Sequence, residues 1–554
     1  MEKKHLFFYL ALIAIGLAGC YVLLLATPYG MGLNSDSASY VDGAGNLQNG
    51  HGYTRTSSEG RFKPITHFPP VFSISLIPLS LVGLGLLQSG RIIVVINFGL
   101  GIIMVGLLIQ KISHSIPFSI LGAILLGISN ILLEVYAYLL SEPLFISLML
   151  IAYLFLSKYF EAHRKRWLVL TGFALSLSYL TRYVGLTIMA CAVLTILLLE
   201  TDYSYFLEDW QVSPKARFSS RLLRLFSKKV ALPLKEVAIL LGSGLPLIII
   251  WTIYTYSMGG GFDNRTLAWH PIDYTTLLNT LKHLLNWLVS VDVLSILKPW
   301  TRVIRFVSLL VLPGLAIYIL NAIWHRIRNE KRTSISSETS TAFSLSLHVI
   351  LYLLLLFVSI SLFDASTPLN YRLLSVAYVP MIVLFSSSVA WLWKTVKSYS
   401  NKFGRVLQLL IALACLGLVY NTAKEGFAEV NRLSQDGLGY ASLGSVNSQV
   451  IRDIRKMPTG LIYSNATNMI FLLTGKPASI TPTPIDPVTK LARPEFMQDV
   501  ETIHKYVSEG QAMLILFDMK NTGDPQKDYL YKTLTSGLKL RKDYGSSQIF
   551  AGEK

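Results

Sequence analysis

The sequence predicts an all-α polytopic membrane protein. It has about eleven transmembrane helices with interfacial helices beside them, followed by a small C-terminal α/β domain outside the cytoplasm. Three observations lead there. Of 554 residues, 52% are hydrophobic and only 15% are charged, with mean hydropathy +0.50; soluble domains carry about 25% charged residues. Apolar runs near the ~20 residues that a spanning helix needs recur along the first 420 positions. From Lys424 the composition changes, and polar stretches alternate with short apolar patches.

The first apolar run, Leu6–Thr27, follows the basic start MEKKH. It is long for a signal peptide and no small-x-small cleavage site follows, so it reads as an anchor with its N-terminus in the cytoplasm. Next comes the polar stretch Asn34–Pro70, rich in Gly, Ser, Asn and Tyr. Val71–Gln88 is apolar but interrupted by Pro78 and several glycines. The remaining spans are Ile92–Gln110, Ile116–Leu133, Pro143–Phe160, Trp167–Tyr183, Val184–Leu199, Val237–Tyr256, Phe306–Trp324, Phe343–Phe363, Leu373–Trp393 and Phe403–Tyr420. Cys20, Cys191 and Cys415 all lie inside apolar runs, with no disulfide or metal-ligand spacing.

Charge distribution sets the topology. The net charge is +17, but the tail from Lys424 has 16 basic and 14 acidic residues. The excess therefore lies in short loops between apolar runs, which is a topology signal and not a nucleic-acid footprint. If Val71–Gln88 does not cross, 22 basic residues fall on the cytoplasmic side and 11 outside. If it crosses, every later loop changes sides and the bias reverses. Val71–Gln88 is therefore expected at the outer interface. This parity puts Asn34–Pro70, the turn Tyr136–Glu142, the loop Ser257–Arg305, the segment Asp364–Arg372 and the tail on the outer face. Within Ser257–Arg305, Tyr274–Leu288 reads as an amphipathic surface helix or a plain connector.

The domains follow: 1–422 is the membrane part, with 28–70 the functional outer loop and 71–88 the interfacial segment, and 423–554 is the soluble domain. In that tail, Leu461–Ser464 and Met513–Phe517 read as buried strands, and Ser445–Lys456 and Glu495–Ser508 as helices. No phosphate-binding glycine loop is present.

Ionisable residues at the membrane are costly and often functional. Asp36 lies nine residues past the first span; a carboxylate there can take a proton from a hydroxyl or amine nucleophile, or be a solvated loop acid. Tyr40 and Asp42 can line a ligand pocket or pack the loop. His67, in THFPP, can donate to a phosphate or sugar, or simply pack. Glu142 opens the fourth span in LLSEPLF, where it can serve the site or favour the helix dipole ahead of Pro143. Arg182 and Arg372 can bind a phosphate through paired hydrogen bonds, or anchor headgroups or acids. Asp36 and Glu142 on one face leave room for a divalent metal, Mg or Mn; no cofactor is otherwise required.

These pieces, NSDSASYVDGAGNLQNGHGY, THFPP, LLSEPLF, LSYLTRYVGL and NYRLLSVAYVP, run in order over residues 1–420. The chain resembles the GT-C superfamily of glycosyltransferases that use polyprenyl-phosphate sugars. Within it, the chain is similar to the bacterial protein mannosyltransferase-like branch that includes the aminoarabinose transferase of lipid A. The tail fragment YSNATNMIFLLTGKPASITP is similar to the outer domain of such proteins.

The resemblance implies an inverting glycosyltransferase of the cell membrane that moves a sugar from a polyprenyl-phosphate donor to a glycan, lipid or protein acceptor. Asp36 would be the general base and Glu142 a second site residue. Arg182 and Arg372 would neutralise the departing phosphate; Tyr40, Asp42 and His67 are the further substrate-binding candidates from the residues themselves. Ser37 follows Asp36 where protein mannosyltransferases carry a paired Asp-Glu, which puts both mannose and a protein acceptor in question. A transporter or flippase of lipid-linked sugars, and an envelope scaffold, are the alternatives. The first would place charges within the spans and broken-helix repeats; this sequence gathers its polar residues at one face instead.

Overall fold

Apolar runs fold as helices because a helix satisfies its own backbone polar groups. The computed structural model describes residues 2–201, 233–259, 269, 274–286, 311–328, 336–363, 369–399, 402–458, 460–486 and 491–552. The chain opens with α1 (Glu2–Ala26). Part of the polar stretch that follows is not a loop but a helix, α2 (Ser35–Gln48). Its start is set by Asn34, whose Oδ1 accepts from the N–H groups of Asp36 and Ser37 at 3.0 and 3.1 Å. Ser37 Oγ in turn accepts from Asn34 N at 3.1 Å, which closes a capping box. An antiparallel hairpin of β1 (Thr54–Thr56) and β2 (Phe62–Pro64) completes the stretch.

The predicted interfacial segment contains α3 (Val71–Leu81), which has 11 residues. At 1.5 Å per residue it is about 16 Å long, too short for a hydrocarbon core of about 30 Å. The helical bundle continues with α4 (Leu86–Ser113), α5 (Ile116–Ile128), α6 (Asn130–Tyr136), α7 (Glu142–Ala162), α8 (Lys165–Thr181) and α9 (Gly185–Glu200). After it come α10 (Leu234–Ser257), α11 (Tyr274–Leu285), α12 (Val311–Arg328), α13 (Ser337–Leu362), α14 (Tyr371–Ser398) and α15 (Lys402–Asp436).

Among the described residues, seven helices are long and apolar enough to cross a membrane, or eight with the bent pair α5–α6 taken as one. Helices α8, α9 and α12, of 17, 16 and 18 residues, occupy the other three predicted span positions. One expected span is divided: Ile116–Leu133 breaks at Ser129 into α5 and α6, bent by 57°. The Ser129 hydroxyl accepts from Leu132 N and starts the second piece. Positions 202–232 of the basic loop Glu200–Lys235, most of Ser257–Arg305, 306–310 of the predicted span Phe306–Trp324, and 364–368 of Asp364–Arg372 lie outside the described residues.

Burial sorts the bundle. Helices α4, α7 and α14 are mostly enclosed by their neighbours, whereas the apolar windows of α1, α10 and α15 are largely uncovered. Helix α15 is not confined to the apolar run; it passes position 422 without a break. It crosses the α5–α6 bend at Gly426, where a Cβ would overlap Ile128 O.

Beyond it lie α16 (Leu443–Val446), α17 (Gln449–Lys456), β3 (Leu461–Ser464), α18 (Thr467–Thr474), β4 (Ser479–Ile480), α19 (Phe496–Ser508), β5 (Ala512–Phe517), α20 (Pro525–Thr535), β6 (Leu540–Asp543) and β7 (Ser547–Ala551). The strands form one sheet in the order β4-β3-β5-β7-β6. Strands β4, β3 and β5 run parallel, and β7 is antiparallel to both its neighbours. Alternation along β5 feeds two cores. Leu514 and Leu516 pack with Val500, Ile503 and Val507 of α19; Ile515 and Phe517 pack with Val450, Ile454 and Ile470 on the other face. This tail unit meets the hairpin through an Arg55–Asn468 hydrogen bond and a Ser58–Ser479 hydroxyl pair.

Candidate active site

The site is assembled from helix ends. Gly32 N donates to Ala137 O at 2.7 Å, and Leu139 N donates to Gly32 O at 2.9 Å. Ser37 Oγ donates to Leu139 O at 2.9 Å. These bonds strap the start of α2 to the turn before α7, so the second residue of one helix, Asp36, lies beside the first residue of the other, Glu142. Arg182 ends α8. Its neighbour Tyr183 donates to Thr66 O at 2.7 Å and accepts from Trp251 Nε1 at 3.1 Å. Arg372 is the second residue of α14, whose start Tyr352 holds by donating to Leu373 O at 2.6 Å. Helix α11 covers that start: Tyr378 donates to His283 O at 2.9 Å, and the His283 and Tyr371 rings meet at 4.2 Å.

Four charged side chains from four elements thus converge. Arg372 pairs with Asp36 through Nη2 and with Glu142 Oε1 through Nε at 2.5 Å. Arg182 Nη1 lies 2.7 Å from the same Glu142 oxygen. The Glu142 side chain is fully buried, whereas Asp36 and Arg372 retain 19% and 27% exposure. One carboxylate oxygen therefore holds two guanidiniums, while Glu142 Oε2 and Arg182 Nε are buried without hydrogen-bond partners. Two acids and two bases balance, which lets the cluster exist in a partly desolvated place.

Tyr40 joins the cluster through Ser141, whose Oγ lies 2.9 Å from the phenol and accepts from Arg182 Nη1 at 3.1 Å. Burial, then the charge of Asp36, pushes the Tyr40 phenol well up, so it stays protonated.

Asp42 is turned elsewhere. Its carboxylate accepts from Thr56 N at 2.8 Å, Thr56 Oγ1 at 2.9 Å and Asn46 Nδ2 at 3.1 Å. It fastens the hairpin to α2. Burial raises its pKa, opposed by the hydrogen bonds from Thr56. His67 is exposed on the rim, edge-on to Phe68, which itself packs against Tyr40.

Arg372 bridges the two carboxylates, and Arg182 adds a second guanidinium on Glu142. Among the described residues no cluster of three or more His, Cys, Asp or Glu side chains could hold a metal ion.

Sequence reasoning did not single out Ser37 or Ser141, which hydrogen-bond within the cluster's frame. Ser141 adjoins Glu142 and was legible in principle.

No protein-family model and no curated protein matches the sequence. By structure, the chain is similar to ArnT from Cupriavidus metallidurans in the apo state, with TM-score 0.53 and 14% identity over 100% of each chain. The chain has the GT-C fold. A second ArnT structure from the same organism, bound to undecaprenyl phosphate, matches with TM-score 0.51 and 15% identity over 98% of each chain. This GT-C fold, at such identity, is shared in architecture, with the tail sheet included in the matched length.

Proposed function

We propose that the chain is an integral-membrane inverting glycosyltransferase. It moves a sugar from a polyprenyl-phosphate donor to an acceptor of the cell envelope, be it glycan, lipid or protein. The observation that carries this reading is the convergence of Asp36, Glu142, Arg182 and Arg372 at one end of an apolar bundle. Its fold is shared with a protein whose structure holds undecaprenyl phosphate.

The chemistry follows from charge. The donor phosphate brings an anion that competes with Asp36 for Arg372, which offers further N–H donors in a fixed fork. Arg182 has an unused Nε beside it. Glu142, buried beneath, keeps both guanidiniums in place. Once displaced from Arg372, Asp36 accepts the proton of the acceptor hydroxyl or amine. The acceptor forms a bond to the anomeric carbon from the face opposite the phosphate. The carbon–oxygen bond to phosphate breaks, its electrons stay on the phosphate oxygen, and configuration inverts. Positive-inside bias supports a cell-membrane protein with its N-terminus in the cytoplasm and its site and tail on the outer face.

Asp36→Asn tests the reading. The variant should retain undecaprenyl phosphate binding, measured on purified protein, and lose sugar transfer by about 10²-fold or more. Transfer is read as envelope glycan by mass spectrometry in a deletion strain carrying each version. Full transfer by the variant would overturn the role of Asp36.

A further inference from the structure

A further chain segment packs beside the start of α2, and nothing in the donor chemistry above uses it. The linker Gly437-Leu438-Gly439-Tyr440 leaves α15 and folds back against the residues that precede α2. Tyr440 N donates to Leu33 O at 2.8 Å. Leu33 forms a parallel bridge with Gly439, and Gly32 forms one with Tyr138. The extended segment before Asp36 is therefore sandwiched between two others, each bearing a tyrosine. Gly437 and Gly439 have φ of +69° and +57°, a conformation that favours glycine. A Cβ on Gly439 would also overlap Leu33 O and press on the Tyr138 ring.

Both phenols are half-buried, and the backbone bridges that carry them engage Gly32 and Leu33, just ahead of Asp36. Burial, then the charge of Asp36, bears on the Tyr440 phenol; burial, then Glu134 and Arg432 ahead of Arg372, bears on that of Tyr138. A tyrosine presents an apolar face and a polar tip, which matches a sugar ring with its C–H face and hydroxyls. Convergent polar groups beside such a face make a small-molecule pocket.

We propose that Tyr440 and Tyr138 form the wall that receives the transferred sugar ring beside Asp36, so that the linker into the tail domain completes the substrate pocket. The rings lie against the sugar's C–H face and the phenols donate to its hydroxyl oxygens. This rests on the glycosyltransferase reading above and adds sugar contacts to it. The donor's phosphate is left to the arginines, so sugar and phosphate recognition separate.

That separation is the test. Wild type, Tyr440→Phe and Tyr440→Ala are purified and assayed for undecaprenyl phosphate binding and for thermal unfolding. The same versions are expressed in the deletion strain and envelope glycan is quantified. Undecaprenyl phosphate carries no sugar, so all three should bind it within about twofold and unfold alike. Glycan should fall about tenfold in Tyr440→Ala and less in Tyr440→Phe, which keeps the ring. Undiminished glycan in Tyr440→Ala overturns the proposal. Lowered unfolding temperature and lost phosphate binding in both variants also overturn it, because the residue is then structural. If wild type makes glycan but does not bind undecaprenyl phosphate, the donor reading fails, and the glycan ratio of the Tyr440 variants still decides the wall on its own.

Discussion

Glu142 carries two guanidiniums on one oxygen, Arg372 Nε at 2.5 Å and Arg182 Nη1 at 2.7 Å. Glu142→Gln keeps the shape but removes the charge, leaving two arginines facing each other with no buried counter-ion. Breaking such a pair costs about 3–5 kcal/mol. The variant should unfold at lower temperature than wild type in the same detergent, and Asp36→Asn should not, because Asp36 is partly exposed and Glu142 remains. Equal unfolding temperatures for Glu142→Gln and wild type would show that the arginines find other partners. The four charged residues were legible from sequence because ionisable groups at span ends are few and parity put them on one face. Their pairing was not legible. That Arg372 holds both acids depends on the straps between residues 32 and 139, which no local pattern announces. Asp42 shows the opposite limit: its position in the polar stretch suggested substrate, but its carboxylate is taken by Thr56 and Asn46.

At the scale of elements, strong periodicity and length carried the reading. The tail strands at Leu461–Ser464 and Ala512–Phe517 and the helix Phe496–Ser508 match their sequence patterns within a residue. Helix α2 was harder. SDSASYVDGAGNLQ has little apolar periodicity and two glycines, and the helix rests on the Asn34–Ser37 capping box and on the packing of Tyr40 against Phe68 and Phe72. The linker after α15 is another element invisible to pattern, since its shape is set by a distant partner strand. Gly439→Val tests that shape. A β-branched residue is strained at φ +57° and would collide with Leu33 O. Limited proteolysis should cut the variant faster than wild type between α15 and α17. Equal cutting would mean that the linker does not depend on this bridge.

For the whole molecule, the apolar spans and the polar composition of the tail made a helical membrane bundle with an α/β appendage legible in the sequence. Sidedness rests on the basic loops alone. In a variant lacking Cys20, Cys191 and Cys415, a membrane-impermeant maleimide should label Thr522→Cys in intact spheroplasts, and Arg164→Cys only after lysis. The reverse pattern would invert the protein in the membrane. The long helix α15 ties these levels together. Its 35 residues extend for about 52 Å, against about 30 Å of hydrocarbon. It passes the α5–α6 bend at Gly426 and pairs Arg432 with Glu134 at 3.7 Å, before the chain turns to lay Tyr440 beside Leu33. Each of those contacts fixes how the helix is rotated about its axis. Adding a single residue below Gly426 would turn everything above it by about 100°, so the bend, the ion pair and the phenol would lose register together. The C-terminal domain is thus tuned to the candidate site in rotation as well as in height.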